Sequence, residues 1–467
     1  MDYSKMSIKQ ISDGVKQKQF SAESVVKFFL DRIESFKEYN AIIETFSDSI
    51  ERAREIDRKV ASGEEQGEMA GVPVIIKDNI LCKGKHMSCA SAFLKDFVSP
   101  YSATIVKRLE EAGAIIIARA NMDEFAMGGS CEKSVYGATL NSKDKTRVAG
   151  GSSGGSAVAA ALSLAPVAIG TDTGGSIRQP SSFNGVVGIK PTYGTVSRYG
   201  IVAFASSTDQ ASPITKTIED NKLVLSVISG KDEKDQTSIE NDFGKTKKTY
   251  TIGLCKELSS EIAKLEQYSL FKNQIEKLQK MGHAIKEISV PHISSSLACY
   301  YVLTPAEATS NLARFDGVKY ATCASDAKTL EEVYVKSRSQ GFGDEVKRRI
   351  MLGNFILSSG YFDAYYKKAK KLQSLLRKEF ERAFEQCDVI LTPTTPSVAF
   401  KLGEKSKDPT SMYLEDLFTV PASISGIPAL SVPYASLNGL PLGLQIMGKN
   451  KTEDVLYDIA KQIMGEE

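Results

Sequence analysis

Histidine is scarce in this sequence: His86, His283 and His292 are the only three in 467 residues. None stands in a motif centred on serine, cysteine or a metal-ligand cluster. A hydrolase built on this chain therefore has to activate its nucleophile without imidazole. Cysteine offers no framework either. Seven residues, at 82, 89, 131, 255, 299, 323 and 387, make an odd number without a Cys-x-x-Cys spacing. Free thiols in a reducing, cytoplasmic setting are the expectation. Long apolar runs are missing too, whereas a membrane helix needs about 18 consecutive apolar residues. Met1 to Gln10 lacks the apolar centre of a secretion signal. A formal charge of +2 gives no bulk field that would mark a nucleic-acid binder, although a local RNA patch stays open. Lys367, Lys368, Lys370 and Lys371 read as one solvated helix face, with a partner or RNA patch as the minority reading.

What is present points to a large α/β enzyme. Ser21 is a plausible N-cap, and Val25, Val26, Phe29 and Ile33 recur at helical spacing, so the first 60 residues read as helices. Val72 to Ile76 is a short apolar run ending at Lys77 and Asp78, which reads as a buried strand. A helix over 102–112, closed by Gly113, leads into a strand over 114–118. That strand–helix–strand order predicts helices packed on a sheet. The stretch 230–249 is polar and charged, with Lys245, Lys247 and Lys248, and reads as a surface excursion. Helical patterns follow near 260–281, 295–314, 343–358 and 362–386, and strands near 388–391, 430–433 and 442–447. No internal repeat is visible.

Residues 147–215 are rich in Gly, Ser and Thr, yet apolar runs at Val158–Leu164 and Val167–Ile169 make them more than a linker. Two clusters stand out: Gly150-Gly151-Ser152-Ser153-Gly154-Gly155-Ser156, and Gly170-Thr171-Asp172-Thr173-Gly174-Gly175-Ser176-Ile177-Arg178. Glycines let consecutive N–H groups converge on an anion. A phosphate loop needs a lysine after the cluster, and none follows. An oxyanion hole formed by Thr173, Gly174 and Gly175 just before Ser176 is the other use. A single cluster of this kind would read as a solvated turn, and a lone lysine as a surface charge. Lys77 at the mouth of a buried strand changes that reading, because a desolvated lysine moves toward neutrality and can serve as a base. A Ser–Lys pair is then the available way to activate a hydroxyl.

The two clusters, with Gln179-Pro180 and Gly188-Ile189-Lys190-Pro191-Thr192 after them, closely resemble the amidase-signature family. The separation of Ser152 from Ser176 and the upstream Pro73-Val74-Ile75-Ile76-Lys77-Asp78 match its pattern. The resemblance implies a single domain over 1–467: one mixed, twisted β-sheet covered by helices on both faces. Its parts would be an N-terminal helical region at 1–65, a signature core at about 70–215 and the excursion at 230–249. It implies a Ser–cis-Ser–Lys triad, with Ser176 acylated, Ser152 relaying the proton and Lys77 as general base.

Three further segments, Asn121 to Gly128, Glu307 to Gly317 and Lys347 to Gly353, are similar to one branch of that family: the A subunits of glutamyl-tRNA(Gln)/aspartyl-tRNA(Asn) amidotransferases. What that branch implies is glutamine hydrolysis, with the ammonia passed to partners: a larger tRNA-binding B subunit, a small C subunit and the misacylated tRNA that the complex holds. ATP and Mg²⁺ would belong to the larger partner, with no cofactor in this chain. Substrate would meet Met127, Gly128, Ser130, Arg349 (or its neighbour Arg348) and Asp416. Two positions depart from the pattern: Gly129 replaces a common serine, and Ala321 follows Tyr320 where glycine is expected. A stand-alone amidase acting on another carboxamide is the alternative. An inactive interaction protein is a third reading, which the intact Lys77, Ser152 and Ser176 oppose.

Overall fold

The computed structural model describes residues 1–240, 242–405 and 408–466. Its centre is one 11-stranded sheet. In chain order the strands are β1 Ile42–Thr45, β2 Pro73–Lys77, β3 Ile115–Ala120, β4 Val167–Asp172, β5 Val187–Lys190, β6 Gln210–Thr215, β7 Thr251–Cys255, β8 Ala284–Ile288, β9 Val389–Pro393, β10 Ala429–Leu437 and β11 Leu440–Gly448. Across the sheet they run β1-β3-β2-β4-β6-β5-β10-β11-β9-β7-β8. β2 pairs in parallel with β3 and β4, and β7 with β8 and β9; the other neighbours are antiparallel. The sheet is mixed, and helices flank it.

β2 to β4 form its most apolar part. Every residue of the three strands is buried, including Val74, Ile75, Ile76, Ile115, Ile116 and Ile117. β-branched side chains suit a pleated surface covered on both sides, and each one fully buried contributes roughly 1.5–3 kcal/mol. β10 and β11 form a hairpin turned at Asn438 and Gly439, with φ of 53° and 79°. Positive φ at both central residues is what a tight hairpin turn demands.

The structure departs from the expected elements in three places. The N-terminal region is not wholly helical: helices Ile8–Lys16, Ala22–Ser35 and Ser49–Ser62 surround β1, which adds an antiparallel edge to β3. Four residues are too few to show a period, and pairing decides their state. The pattern near 260–281 divides into helices Lys256–Ala263 and Tyr268–Lys280. Between them Gln267 turns inward and its Nε2 donates to the Thr395 carbonyl at 2.7 Å. Strands β4 to β8 are additional to those expected. The excursion at 230–249, whose position 241 lies outside the described residues, has no helix or strand and is held by buried Asp235, paired with Arg198. Lys367, Lys368 and Lys371 are exposed on helix Lys367–Ala383, and Lys370 is half-buried. All seven cysteines are free. Among the described residues no helix is long and apolar enough to cross a membrane.

Candidate active site

Lys77 ends β2, and the Thr173–Ser176 turn leaves the end of β4, the strand parallel to it. The carboxyl ends of adjacent parallel strands thus set the site, a placement common in α/β sheets. The turn after β4 leads into helix Arg178–Asn184. Ser152 and Ser153 precede helix Gly154–Ala161, all of whose residues but the last are fully buried small or β-branched ones. The Gly151–Ser152 peptide is cis.

Lys77 is completely buried. Its Nζ lies 2.7 Å from Ser152 Oγ, 2.8 Å from Ser153 Oγ and 2.9 Å from Thr171 Oγ1. Burial brings its pKa down from 10.5 to about 7, against the opposing pull of Asp123, Cys131, Asp172 and Asp209. Loss of water around the ammonium outweighs those carboxylates because hydroxyls, not charges, contact the nitrogen. Ser153 Oγ donates to the Thr171 carbonyl at 2.9 Å, and Asn79 Nδ2 donates to Thr171 Oγ1 at 3.1 Å. Sequence reasoning misses the part that Ser153, Thr171 and Asn79 play here. Ser153 sits in the motif itself, but only the fold shows that it touches the amine.

The turn carrying Ser176 is held by a buried ion pair. Asp172 accepts from the Gly175 and Ile177 N–H groups and from the Arg178 guanidinium through both oxygens. Burial opposes its ionisation, but Arg178 beside it holds the carboxyl below its ordinary range. Arg178 also donates to the Thr419 carbonyl, Gln445 Oε1 and Ser423 Oγ, which ties the turn to the far half of the sheet. The predicted oxyanion hole needs one correction: the Gly175 N–H is taken by Asp172 at 2.9 Å. Among the described residues the N–H groups of Thr173, Gly174 and Ser176 have no acceptor. Thr173 Oγ1 donates to Asp209, whose other oxygen accepts from the Phe204 and Ala205 N–H groups. Gly174 admits no side chain, since a Cβ there would lie 2.5 Å from the Tyr300 ring.

Ser176 Oγ makes no hydrogen bond among the described residues, and Ser176 lines a small cavity of about 10 Å³. Around it stand Gly128, Tyr300, Tyr301, Arg349, Met412 and Asp416. Catalytic hydrogen bonds commonly tighten only when substrate is bound. Arg349 is buried, bonded through Nε to Glu345 at 2.9 Å, and lies 5.5 Å from the ring centres of Phe204 and Tyr301. Arg348 is half exposed, pairs with the other oxygen of Glu345 and lines only an outer cleft. The cavity thus takes Arg349 and not Arg348. Asp416 accepts from Tyr301 Oη at 2.7 Å, and loss of solvent raises its carboxyl to about 7.

The cavity adjoins the outer cleft of about 480 Å³, where Ser130 is found. Met127 is not at the cavity wall: its side chain packs in an apolar cluster with Phe125, Phe204 and Phe342. Its neighbours Ala126 and Gly128 line the cavity instead, because an irregular turn with Phe125 and Ala126 at positive φ points Met127 inward. A Cβ at Gly129 would meet Met412 Sδ at 3.4 Å and Gln179 Nε2 at 3.6 Å, ordinary contacts, so a side chain there would be accommodated without displacing the backbone. Tyr300, Tyr301, Met412 and Asp209 are site residues without a sequence motif of their own.

The amidase family model matches residues 24–456. The chain is 49% identical to the A subunit of the glutamyl-tRNA(Gln) amidotransferase of Alkaliphilus metalliredigens, covering 98% of this chain and 96% of that one. The crystal structure of the same-named protein from Thermotoga maritima superposes with a TM-score of 0.81 at 38% identity, over 99% of this chain and 95% of the other. The peptide amidase of Stenotrophomonas maltophilia superposes at 0.83 with 27% identity, over 99% and 97%. A family match that spans both signature clusters and nearly the whole sheet, together with these relatives, makes the chain a member of the amidase family.

Proposed function

We propose that the chain is the glutamine-hydrolysing component of a tRNA-dependent amidotransferase. Ammonia released here is used to convert Glu-tRNA(Gln), Asp-tRNA(Asn) or both to their amidated forms. The relatives at 46–49% identity are named as A subunits of glutamyl-tRNA(Gln) amidotransferases. The observation that carries the substrate is that Arg349 and Asp416 both stand in the wall of the Ser176 cavity. Glutamine has an α-carboxylate and an α-ammonium beside its carboxamide. A guanidinium fork matches the first and a carboxylate the second.

The chemistry follows from the proton positions. A neutral lysine has two N–H bonds and one lone pair. Ser153 gives its proton to the Thr171 carbonyl, so it accepts from Lys77; Thr171 Oγ1 accepts from Asn79 and Lys77. Ser152 is left as the hydroxyl that hydrogen-bonds to the lone pair. With its proton drawn toward Lys77, Ser152 can take the proton of Ser176 as Ser176 Oγ attacks the carboxamide carbon. The free N–H groups at Thr173, Gly174 and Ser176 are the donors for the oxyanion. Collapse of the intermediate leaves an acyl ester on Ser176 and releases ammonia, with the proton returned from Lys77 through Ser152. Water then hydrolyses the ester to glutamate by the same route. ATP and Mg²⁺ are assigned to the larger partner, and none of these steps uses them.

The test is glutamine-dependent amidation of both misacylated tRNAs by this chain assembled with its partner subunits. Ammonia release from glutamine that fails to amidate either tRNA, and that ignores the partners, would move the chain to the stand-alone amidases.

A further inference from the structure

Tyr301, on helix Ser296–Leu312, reaches both charged groups of the cavity wall. Its hydroxyl donates to Asp416 Oδ2 at 2.7 Å, and the centre of its ring lies 5.5 Å from the Arg349 guanidinium. The ring is fixed on two sides. It stacks on Tyr413 with centres 3.9 Å apart, and it meets Tyr300 edge-on at 5.0 Å. Asp416 closes the turn Leu414–Asp416, and its other oxygen, Oδ1, has no donor among the described residues.

A phenol in this place has a physical consequence. A lysine or arginine there would neutralise Asp416 and leave no charge for an incoming ammonium. A neutral O–H favours the carboxylate over the carboxylic acid and leaves its charge intact. The donor is secure, because burial, with Asp416 beside it, raises the phenol well above its ordinary range. At Asp416 burial is the dominant influence, and the Tyr301 hydrogen bond is the largest that opposes it. Of the other charges that bear on Asp416, Arg349 favours its ionisation, and Glu415 and Asp172 oppose it. Those two carboxylates are themselves paired, with Lys405 and Arg178.

We propose that Tyr301 is the positioning residue for the α-ammonium of glutamine: by donating to Oδ2 it turns Asp416 so that Oδ1 meets the ammonium, while its ring keeps that end at a set distance from Arg349. The proposal deepens the glutamine reading given above and rests on it. It makes the site selective for a carboxamide that carries both an ammonium and a carboxylate, with Tyr301 acting through Asp416.

The experiment uses the chain assembled with its partner subunits and compares two amides: glutamine, and glutaramate, which is glutamine without the α-amino group. Tyr301→Phe keeps the ring and its stacking and loses the donor. It should raise KM for glutamine at least about tenfold at pH 7, as expected when a hydrogen bond to a charged group is lost, and leave kcat within about threefold of the parent. On glutaramate kcat/KM should change by less than about threefold. The KM ratio of variant to parent should be larger at pH 6.5 than at pH 8.5. The variant's carboxyl lacks the donor that favours its ionised form, so the two proteins converge as pH rises and both carboxyls ionise. In an Asp416→Asn background Tyr301→Phe should cost less than about threefold on glutamine, because the two side chains act as one unit. An unchanged KM for glutamine, equal losses on glutamine and glutaramate, a KM ratio independent of pH, or full additivity of the two substitutions would each overturn the proposal. A parent that hydrolyses glutaramate as readily as glutamine would instead remove the glutamine reading itself, and the proposal with it.

Discussion

Lys77 is the group on which the proposed chemistry turns, and its burial gives a measurable signature. Its pKa falls from 10.5 to about 7 inside the protein. At saturating glutamine, kcat should therefore rise tenfold per pH unit up to about 7 and level off above it, because only the neutral amine can accept the proton. Lys77→Arg should lose at least about 10³-fold in kcat, since a guanidinium does not deprotonate in a protein. The same shift appears in stability. A lysine whose folded pKa is depressed destabilises the fold most below that pKa, and the cost is relieved as pH rises toward the unfolded value. Titration from 10.5 unfolded to about 7 folded costs about 4 kcal/mol at pH 7 and about 2 kcal/mol at pH 9. Lys77→Met removes this term and also leaves the Ser152, Ser153 and Thr171 hydroxyls short of a partner. The second loss is independent of pH. The difference in unfolding free energy between Lys77→Met and the parent should thus shift by about 2 kcal/mol between pH 7 and pH 9, whatever its absolute sign. Denaturant midpoints at the two pH values measure it. A kcat profile flat from pH 5.5 to 9, or a stability difference that does not move with pH, would refute the neutral-lysine argument.

Three other substitutions, with a control at Arg348, probe the remaining parts. Ser176→Ala should abolish glutamine hydrolysis and leave the Tm unchanged, and an electrophilic glutamine analogue should label Ser176; a label on Cys131 or Ser153, read by peptide mass, would place the nucleophile elsewhere. Arg349→Lys should lower kcat/KM for glutamine by at least about 30-fold, as expected when a desolvated charge loses its bidentate partner, and should affect an uncharged amide far less. The same change at exposed Arg348 should cost under about threefold, and equal losses on both substrates would make Arg349 a fold residue. Gly174→Ala puts a Cβ 2.5 Å from the Tyr300 ring and should displace the turn, lowering kcat about 10²-fold with little change in KM; turnover near that of the parent would mean that the turn does not hold the oxyanion donors.

The local code announced the chemistry. A run of Val74, Ile75 and Ile76 reads as a buried strand, and a lysine directly after it as a group that the fold can desolvate. Two glycine–serine clusters without a following lysine limit the anion they can serve, and with three histidines in the whole chain little but a Ser–Lys mechanism remains. Strands β2, β3, β9, β10 and β11, most of the helices and the Lys77, Ser152 and Ser176 candidates are legible in that way because each rests on a period or a motif within a few positions; the mixed sheet and the substrate contacts at Arg349 and Asp416 are expected only from the resemblance to the family. What the sequence alone does not carry is everything made by contacts between distant segments. β1 is a strand only because β3 pairs with it, and residues 260–281 break because Gln267 finds the Thr395 carbonyl. The amine of Lys77 is shared by Ser153 and Thr171 as well as Ser152, Gly175 gives its N–H to Asp172, and Met127 turns away from the cavity that Ala126 and Gly128 line. Arg349 rather than Arg348 enters that cavity because consecutive residues of a helix point about 100° apart, so that Arg349 faces the Tyr301 ring and Arg348 faces water. Period and motif fix which residues are available for chemistry; long-range packing decides which protons and charges meet.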